Sequence, residues 1–102
     1  MSKYTGAPHI LEMLIRAPAG SWVCALLPDA AKQKAVFDLL APVVVSRGGT
    51  CEASSYTMRL DGANLRLVVD SQELRGMELS TVWVDEWVKE SDAAYARMRV
   101  RS

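Results

Sequence analysis

Residues 21–27 read SWVCALL, and this nearly continuous apolar run lies between Gly20 and Pro28. Its length and apolarity are typical of a β-strand that is buried on both faces of a sheet. Asp29 follows as a candidate N-cap, and the apolar spacing beyond it predicts a helix that Pro42 ends. A strand that leads directly into a helix favours a parallel sheet at the core of the fold.

Two alternating stretches farther along the chain predict an antiparallel hairpin. Apolar and polar side chains alternate over residues 56–61 and again over residues 65–70. Asp61 and Gly62 suit the tight turn between them. Residues 71–78 are polar and predict a connection with at most one helical turn. The hairpin is therefore expected to extend the parallel core with antiparallel strands.

The remaining segments complete the predicted order of elements. Pro8 suits the first turn of an initial helix, and residues 43–45 are predicted to form a short strand. A buried strand is predicted over residues 81–84, and a last helix over residues 87–98. The residues expected to face the core from that helix are Trp87, Ala94, Tyr95 and Met98. We therefore expect one domain over residues 1–102, a small α/β protein with two or three layers and a mixed sheet.

Composition excludes several classes of protein. Twelve basic and twelve acidic residues cancel, so general electrostatic binding to nucleic acid is not expected, although a local patch is compatible with this balance. One histidine and two cysteines, Cys24 and Cys51, are too few for a zinc site of cysteine and histidine ligands. The thiols are expected to be buried or half-buried in a reducing compartment.

Targeting signals are not apparent in the sequence. No apolar run approaches the roughly 20 residues that cross a membrane. The first six residues lack the apolar core of a signal peptide. A cytoplasmic protein without membrane contact is expected.

The sequence offers no catalytic triad. His9 stands near a helix start, and no serine or cysteine nucleophile lies near it in the sequence. Ser54 and Ser55 precede a strand but lack the G-x-S-x-G elbow that exposes a catalytic serine.

The strand over residues 81–84 ends at two acids, so that residues 82–86 read VWVDE. This is the form of a Walker B strand, in which the aspartate holds Mg²⁺ and the glutamate activates water at the carboxyl end of the strand. Asp85 and Glu86 are therefore candidate metal ligands. A solvated strand exit, with two acids near the N-terminus of the next helix, is the alternative.

Over residues 20–87 the chain resembles the ATPase core of the large terminase subunit of tailed bacteriophages. The matching pieces, in order, are the strand 22–28 that ends in proline, the helix from Asp29, the turn 60–65, Leu74-Arg75-Gly76, and residues 82–86. The resemblance implies a reduced core of the P-loop ATPase type. It also implies Asp85 and Glu86 as the place of a weak Mg²⁺ site.

The phosphate-binding loop of that family is missing. The motif G-x-x-x-x-G-K-[ST] supplies backbone N–H groups and a lysine to the phosphates. The corresponding residues 4–9 read YTGAPH, without a lysine after the glycine, and Pro8 removes one donor. The chain also has no room for the nuclease domain of the family. We therefore expect no ATP hydrolysis by this chain alone, and no enzymatic activity.

The resemblance, together with the missing phosphate-binding loop, implies a non-enzymatic accessory protein of phage type that binds a protein partner. The partner is expected among phage or host proteins of the bacterial cytoplasm, in DNA packaging or in interference with a host machine. The candidate partner-binding residues are Trp87, Arg59, Arg66 and Arg75. An open edge of the hairpin is a further candidate surface for a partner or for a second copy of the chain.

Two other functions stay open. One is a small nucleic-acid-binding module that uses the arginines of the hairpin and of the C-terminus. Those residues are Arg59, Arg66, Arg97, Arg99 and Arg101. The other is a vestigial magnesium or nucleotide site that a second chain completes.

Overall fold

Five strands form a mixed sheet with helices on both faces in the computed structural model, which describes residues 6–100. In chain order the elements are α1 (Gly6–Arg16), β1 (Trp22–Leu26), α2 (Ala30–Ser46), β2 (Thr50–Glu52), β3 (Thr57–Leu60), β4 (Ala63–Val68), a single 3₁₀ turn (Ser71–Leu74), β5 (Thr81–Val84) and α3 (Glu90–Met98). The strand order across the sheet is β2-β3-β4-β1-β5. The predicted small α/β protein with a mixed sheet is confirmed.

The strand β1 lies at the centre of the parallel part of the sheet. It is parallel to β4 on one side and to β5 on the other, with Val23 opposite Leu65 and Thr81. The strand β3 is antiparallel to both of its neighbours, β2 and β4. A parallel core that an antiparallel hairpin extends is therefore the observed arrangement, as predicted.

Both faces of β1 are buried, which explains its continuous apolarity. Val23 and Ala25 pack in the cluster beneath α1 and α2. Cys24 and Leu26 point to the opposite face and pack in the cluster that includes Ala96 of α3. Each fully buried side chain of valine or leucine size contributes about 1.5–3 kcal/mol, so β1 joins two apolar layers into one core.

The helix α2 is longer than predicted, because Pro42 does not end it. Proline lacks the N–H that would bond to the carbonyl four residues earlier, yet the helix continues to Ser46. Val44 is fully buried and anchors the last turn to the core, and Arg47 N–H donates to the carbonyls of Val43 and Val44. The predicted strand over residues 43–45 is therefore wrong, since these residues form the last turn of α2.

The start of α2 agrees with the sequence. Asp29 is the N-cap, and its carboxylate accepts a hydrogen bond from Lys32 N–H at 2.8 Å.

The short strand β2 was not predicted, and it covers the outer edge of the hairpin. Thr50 pairs with Arg59 and Glu52 with Thr57, while β4 pairs with β1 on its other side. The prediction of an open hairpin edge is therefore wrong, and the free edge on this side of the sheet belongs to β2. Gly49 permits this pairing, because a Cβ atom there would collide with the carbonyl of Arg59.

The helix α3 is shorter than predicted and turned differently about its axis. It begins at Glu90, three residues after Trp87. Ala93 and Ala96 are buried and Tyr95 packs against the core, whereas Ala94 is exposed. Trp87 and Met98 are 72% and 75% exposed, so neither faces the core. Small alanines bring α3 close to the sheet and leave the larger side chains outside.

The hairpin turn has the geometry that its sequence predicts. Asp61 and Gly62 have φ values of 51° and 84°. A pair of positive φ angles at the two central residues is the mark of a type I′ turn, whose twist matches that of the strands. The prediction of this turn is confirmed.

Replacement of Gly62 by alanine should destabilise the protein by about 1–2 kcal/mol, because alanine disfavours a positive φ. An added Cβ would also lie 3.0 Å from the Cβ of Ala19. Asp61→Asn is the matched control, since asparagine tolerates positive φ and should change stability by less than about 0.5 kcal/mol. Urea unfolding followed by tryptophan fluorescence measures both variants. Equal midpoints for Gly62→Ala and the wild type would contradict the role given to this turn.

Candidate functional site

Asp85 follows β5 and is a buried charged residue at the carboxyl end of the sheet, with 3% of its side chain exposed. One carboxylate oxygen, Oδ2, lies 2.8 Å from Nζ of Lys32. The other, Oδ1, accepts a hydrogen bond from Trp87 N–H at 2.9 Å. The backbone N–H of Asp85 donates to the carbonyl of Leu26 at 3.0 Å. Both oxygens of this carboxylate are therefore engaged by groups of the chain itself.

Lys32 reaches Asp85 because of the order of the strands. The helix α2 begins directly after β1, and β5 lies beside β1. A lysine in the first turn of α2 therefore stands next to the end of β5, and 22% of its side chain remains exposed. The amphipathic pattern of α2 places Lys32 on the solvent side. Nothing in the sequence alone indicates that β5 pairs with β1, so this partner of Asp85 could not be predicted.

The surroundings of Asp85 supply few ligands for a divalent ion. Mg²⁺ prefers six oxygen ligands in octahedral geometry, and an ion at Asp85 would have to displace Lys32. Glu86 points to solvent. Within residues 6–100 no group of three or more histidine, cysteine, aspartate or glutamate side chains could hold a metal ion. The predicted Mg²⁺ site at Asp85 and Glu86 remains a prediction to which the geometry adds no further ligand.

The start of α2 is also occupied by a negative charge. Phosphate groups bind at helix N-termini beside the carboxyl ends of parallel strands. Here the carboxylate of Asp29 takes that place and accepts the N–H of Lys32. A phosphate at this position would meet a carboxylate instead of free N–H donors.

Trp87 stands on the surface immediately after this buried pair. Its indole is 72% exposed, and its backbone is held by Asp85 Oδ1. The next residue, Val88, donates its N–H to the carbonyl of Asp85. Trp87 also lines a cavity of about 140 Å³ at the carboxyl end of the sheet. We call the apolar residues around this cavity the Trp87 surface: Leu27, Pro28, Val69, Trp87 and Val88.

The predicted arginines are mostly engaged within the chain. Arg66 pairs with Glu73 at 3.2 Å and Arg97 with Glu90 at 3.6 Å. Nε of Arg99 donates to the carbonyl of Met77 at 3.2 Å. Arg59 on β3 and Arg75 after the 3₁₀ turn are exposed, and Arg101 lies outside the described residues. Of the described arginines in the two predicted sets, Arg66, Arg97 and Arg99 are thus held by contacts within the chain.

His9 lies beside two hydroxyl groups that are distant in sequence. With Ser80 and Thr81 it lines an open depression of about 460 Å³ next to α1. Within the described part of the chain His9 makes no hydrogen bond to either hydroxyl, and Ser80 Oγ donates to the carbonyl of Trp22 at 3.3 Å. Ser55 Oγ donates to Glu52 Oε1 at 3.2 Å and is hydrogen-bonded to Thr57 Oγ1 at 2.9 Å, and both bonds lie within residues 52–57. Among the described residues, neither Ser80 nor Ser55 is hydrogen-bonded to His9.

Both cysteines are free thiols, one buried and one half-buried, as predicted. Burial raises the pKa of the Cys24 thiol to about 12. Burial also raises the pKa of Cys51. Since the thiolate is the reactive form, neither cysteine is poised as a nucleophile near neutral pH.

These pKa shifts predict slow alkylation of the native protein at pH 8. Cys24 should react with iodoacetamide only after unfolding, because its thiol stays protonated until the pH approaches 12. Cys51→Ser isolates Cys24 and serves as the test protein, with mass spectrometry before and after urea. Rapid labelling of native Cys51→Ser would contradict the burial of Cys24.

Lys32→Met should lower the free energy of unfolding by about 3 kcal/mol, because it leaves the carboxylate of Asp85 buried without its cation. Lys34→Met is the matched control on the same helix. Its ion pair with Asp38, at 3.0 Å, is exposed, so the loss should stay below about 0.5 kcal/mol. The double variant Lys32→Met, Asp85→Leu should recover most of the stability. Equal urea midpoints for the two lysine variants would exclude a structural role for the buried pair.

No match was found when the chain was compared with protein-family models, with curated proteins and with solved structures. The resemblance to a terminase ATPase core therefore stays a prediction. Within residues 6–100 no helix has the length and apolarity needed to cross a membrane.

Proposed function

We propose that the protein is a non-enzymatic module that binds a protein partner through the Trp87 surface. The observation that carries this proposal is an indole that is 72% exposed on a backbone fixed by a buried carboxylate. Tryptophan is enriched among the residues that dominate binding free energy at protein interfaces. A side chain of this size gains most from burial when a partner covers it.

Hydrogen bonds hold the backbone at Trp87, which favours a binding role for the exposed indole. Asp85 accepts Trp87 N–H through its side chain and Val88 N–H through its carbonyl. Lys32 in turn fixes the carboxylate of Asp85. A preorganised anchor loses less conformational entropy on binding than a mobile loop does. Asp85 at the strand end thus supports the presentation of Trp87.

The same contacts disfavour a catalytic role. Asp85 is already neutralised by Lys32, the N-terminus of α2 is capped by Asp29, and the thiols are protonated near neutral pH. Within residues 6–100 every buried side-chain nitrogen or oxygen has a hydrogen-bond partner. None of these buried atoms therefore lacks a partner that a substrate would supply, and we assign no reaction to the chain.

The proposal includes an origin as an accessory protein of phage type on a reduced terminase-like core. Its support is the order of the strand that ends in proline, the hairpin, Leu74-Arg75-Gly76 and the Asp85-Glu86 strand end. The partner would then be a phage or host protein in the bacterial cytoplasm, in DNA packaging or in a host machine.

Nucleic-acid binding receives less support than protein binding. Arg66, Arg97 and Arg99 are held by Glu73, Glu90 and a backbone carbonyl, so phosphate contacts would have to replace these interactions. If the function were nucleic-acid binding, affinity for DNA would fall steeply with salt and with Arg59→Ala.

A nucleotide or magnesium site completed by a second chain is the other alternative. Binding to the folded state alone raises the melting temperature. A rise on addition of Mg²⁺ and ATP that Asp85→Asn abolishes would therefore favour this alternative.

Trp87→Ala should weaken capture of the native partner by at least about 30-fold, as expected for a central interface residue. Stability should change by less than about 0.5 kcal/mol, because the indole is mostly exposed. Met98→Ala is the matched control, since Met98 is 75% exposed and lies at the other end of α3. The measurement is affinity purification from the native host with quantification of the recovered protein, followed by binding titration with that protein. Equal affinity of Trp87→Ala and the wild type would refute the proposed docking site.

A further inference from the structure

The carboxyl end of the sheet is acidic, although the chain as a whole is neutral. The segments 27–32, 69–73 and 85–92 together carry seven carboxylates and two lysines. Arg66 and Arg97 pair with two of these carboxylates, Glu73 and Glu90, so three negative charges remain in excess. The rest of the chain therefore carries an equal positive excess. This separation of charge cannot be seen in the net charge or in the pI.

The topology brings these three segments together. They follow β1, β4 and β5, which are parallel neighbours in the sheet, so their carboxyl ends meet at one edge. Part of the charge has a structural use, since Asp29 caps α2 and Asp70 caps the 3₁₀ turn. Capping does not neutralise a carboxylate, and Asp29, Asp70 and Glu86 are all exposed. Exposed carboxylates therefore adjoin the Trp87 surface.

The cavity lies beside these carboxylates. Leu27, Pro28, Val69 and Val88 line it next to the indole, and the charged residues Lys89 and Asp92 complete the lining. Its volume of about 140 Å³ is close to that of a cavity that admits one benzene-sized group. Asp29, Asp70 and Glu86 directly adjoin the lining residues in sequence. The surface thus offers space for one apolar side chain with carboxylates around it.

We infer that the partner presents a basic segment to this surface, an inference that rests on the proposed function. One apolar side chain of the segment occupies the cavity. Arginine or lysine side chains beside it contact the exposed carboxylates, and a guanidinium stacks on the indole of Trp87. The excess of negative charge repels an acidic segment or a nucleic-acid backbone and accelerates the approach of a basic one.

A random peptide display library tests this inference with a defined probe. The library is selected on the immobilised full chain, and peptides that also bind Trp87→Ala are removed. The remaining peptides should be enriched in arginine and lysine next to a large apolar residue, relative to the starting library. Affinity of a synthesised peptide should fall with rising salt, because exposed charge pairs are screened.

Removal of carboxylate charges provides the second measurement. The double variant Glu86→Gln, Glu90→Gln should bind the selected peptide about 3–10-fold more weakly, given the strength of exposed ion pairs. Glu12→Gln is the matched control, because Glu12 is an exposed acid on α1 that pairs with Arg16. It should bind as the wild type does. Urea midpoints of all variants should agree, since these side chains are exposed.

The outcomes separate the two proposals. If no selected peptide depends on Trp87, both the proposed docking site and the inferred basic segment are overturned. If the peptides depend on Trp87 but are neutral or acidic, only the basic segment is overturned. The same conclusion follows if Glu86→Gln, Glu90→Gln binds as tightly as Glu12→Gln.

Discussion

The ion pair between Lys32 and Asp85 fixes the arrangement of α2 and β5 at the carboxyl end of the sheet. It joins the first turn of α2 to the end of β5 across β1, with the two charged atoms 2.8 Å apart. A buried carboxylate is strongly unfavourable unless a cation and hydrogen bonds compensate it. Here the cation and Trp87 N–H compensate both oxygens, and the direction of the chain after β5 follows from this requirement.

The ion pair between Lys32 and Asp85 also changes the role of the two acids at the end of β5. In a nucleotide hydrolase such acids face a metal ion and phosphate groups. In this chain Asp85 faces a lysine of the neighbouring helix, and Glu86 is left in solvent. A motif that resembles a catalytic one can thus serve as a structural support, and its chemistry depends on which groups face it.

Local signals in the sequence predicted those parts of the fold that depend on local physics. The continuous apolarity of β1 and the Asp61-Gly62 turn each correspond to one backbone conformation, and both were predicted. The prediction that Pro42 ends α2 was wrong, because burial of Val44 outweighs the backbone hydrogen bond that proline cannot donate. The strand β2 was missed because its pairing depends on β3, and three residues carry too little periodicity to reveal a strand.

The candidate site shows the same division between local and non-local information. The position of Asp85 at a strand end could be predicted from the residues around it. Its partner Lys32 is 53 residues away in the sequence, and the contact depends on strand order. Trp87 was expected to face the core because apolar spacing suggested that α3 begins there. The turn that Asp85 stabilises delays the helix to Glu90 and turns the indole outward.

The separation of charge has a consequence for the behaviour of the protein in solution. A neutral molecule with an excess of acids at one end of its sheet carries the matching positive charge elsewhere, and two such molecules attract each other where these surfaces meet. Their net charge provides no repulsion to oppose this attraction near pH 6.6, the isoelectric point. Dilute buffers should therefore favour self-association, and modest additions of salt should oppose it by shortening the Debye length.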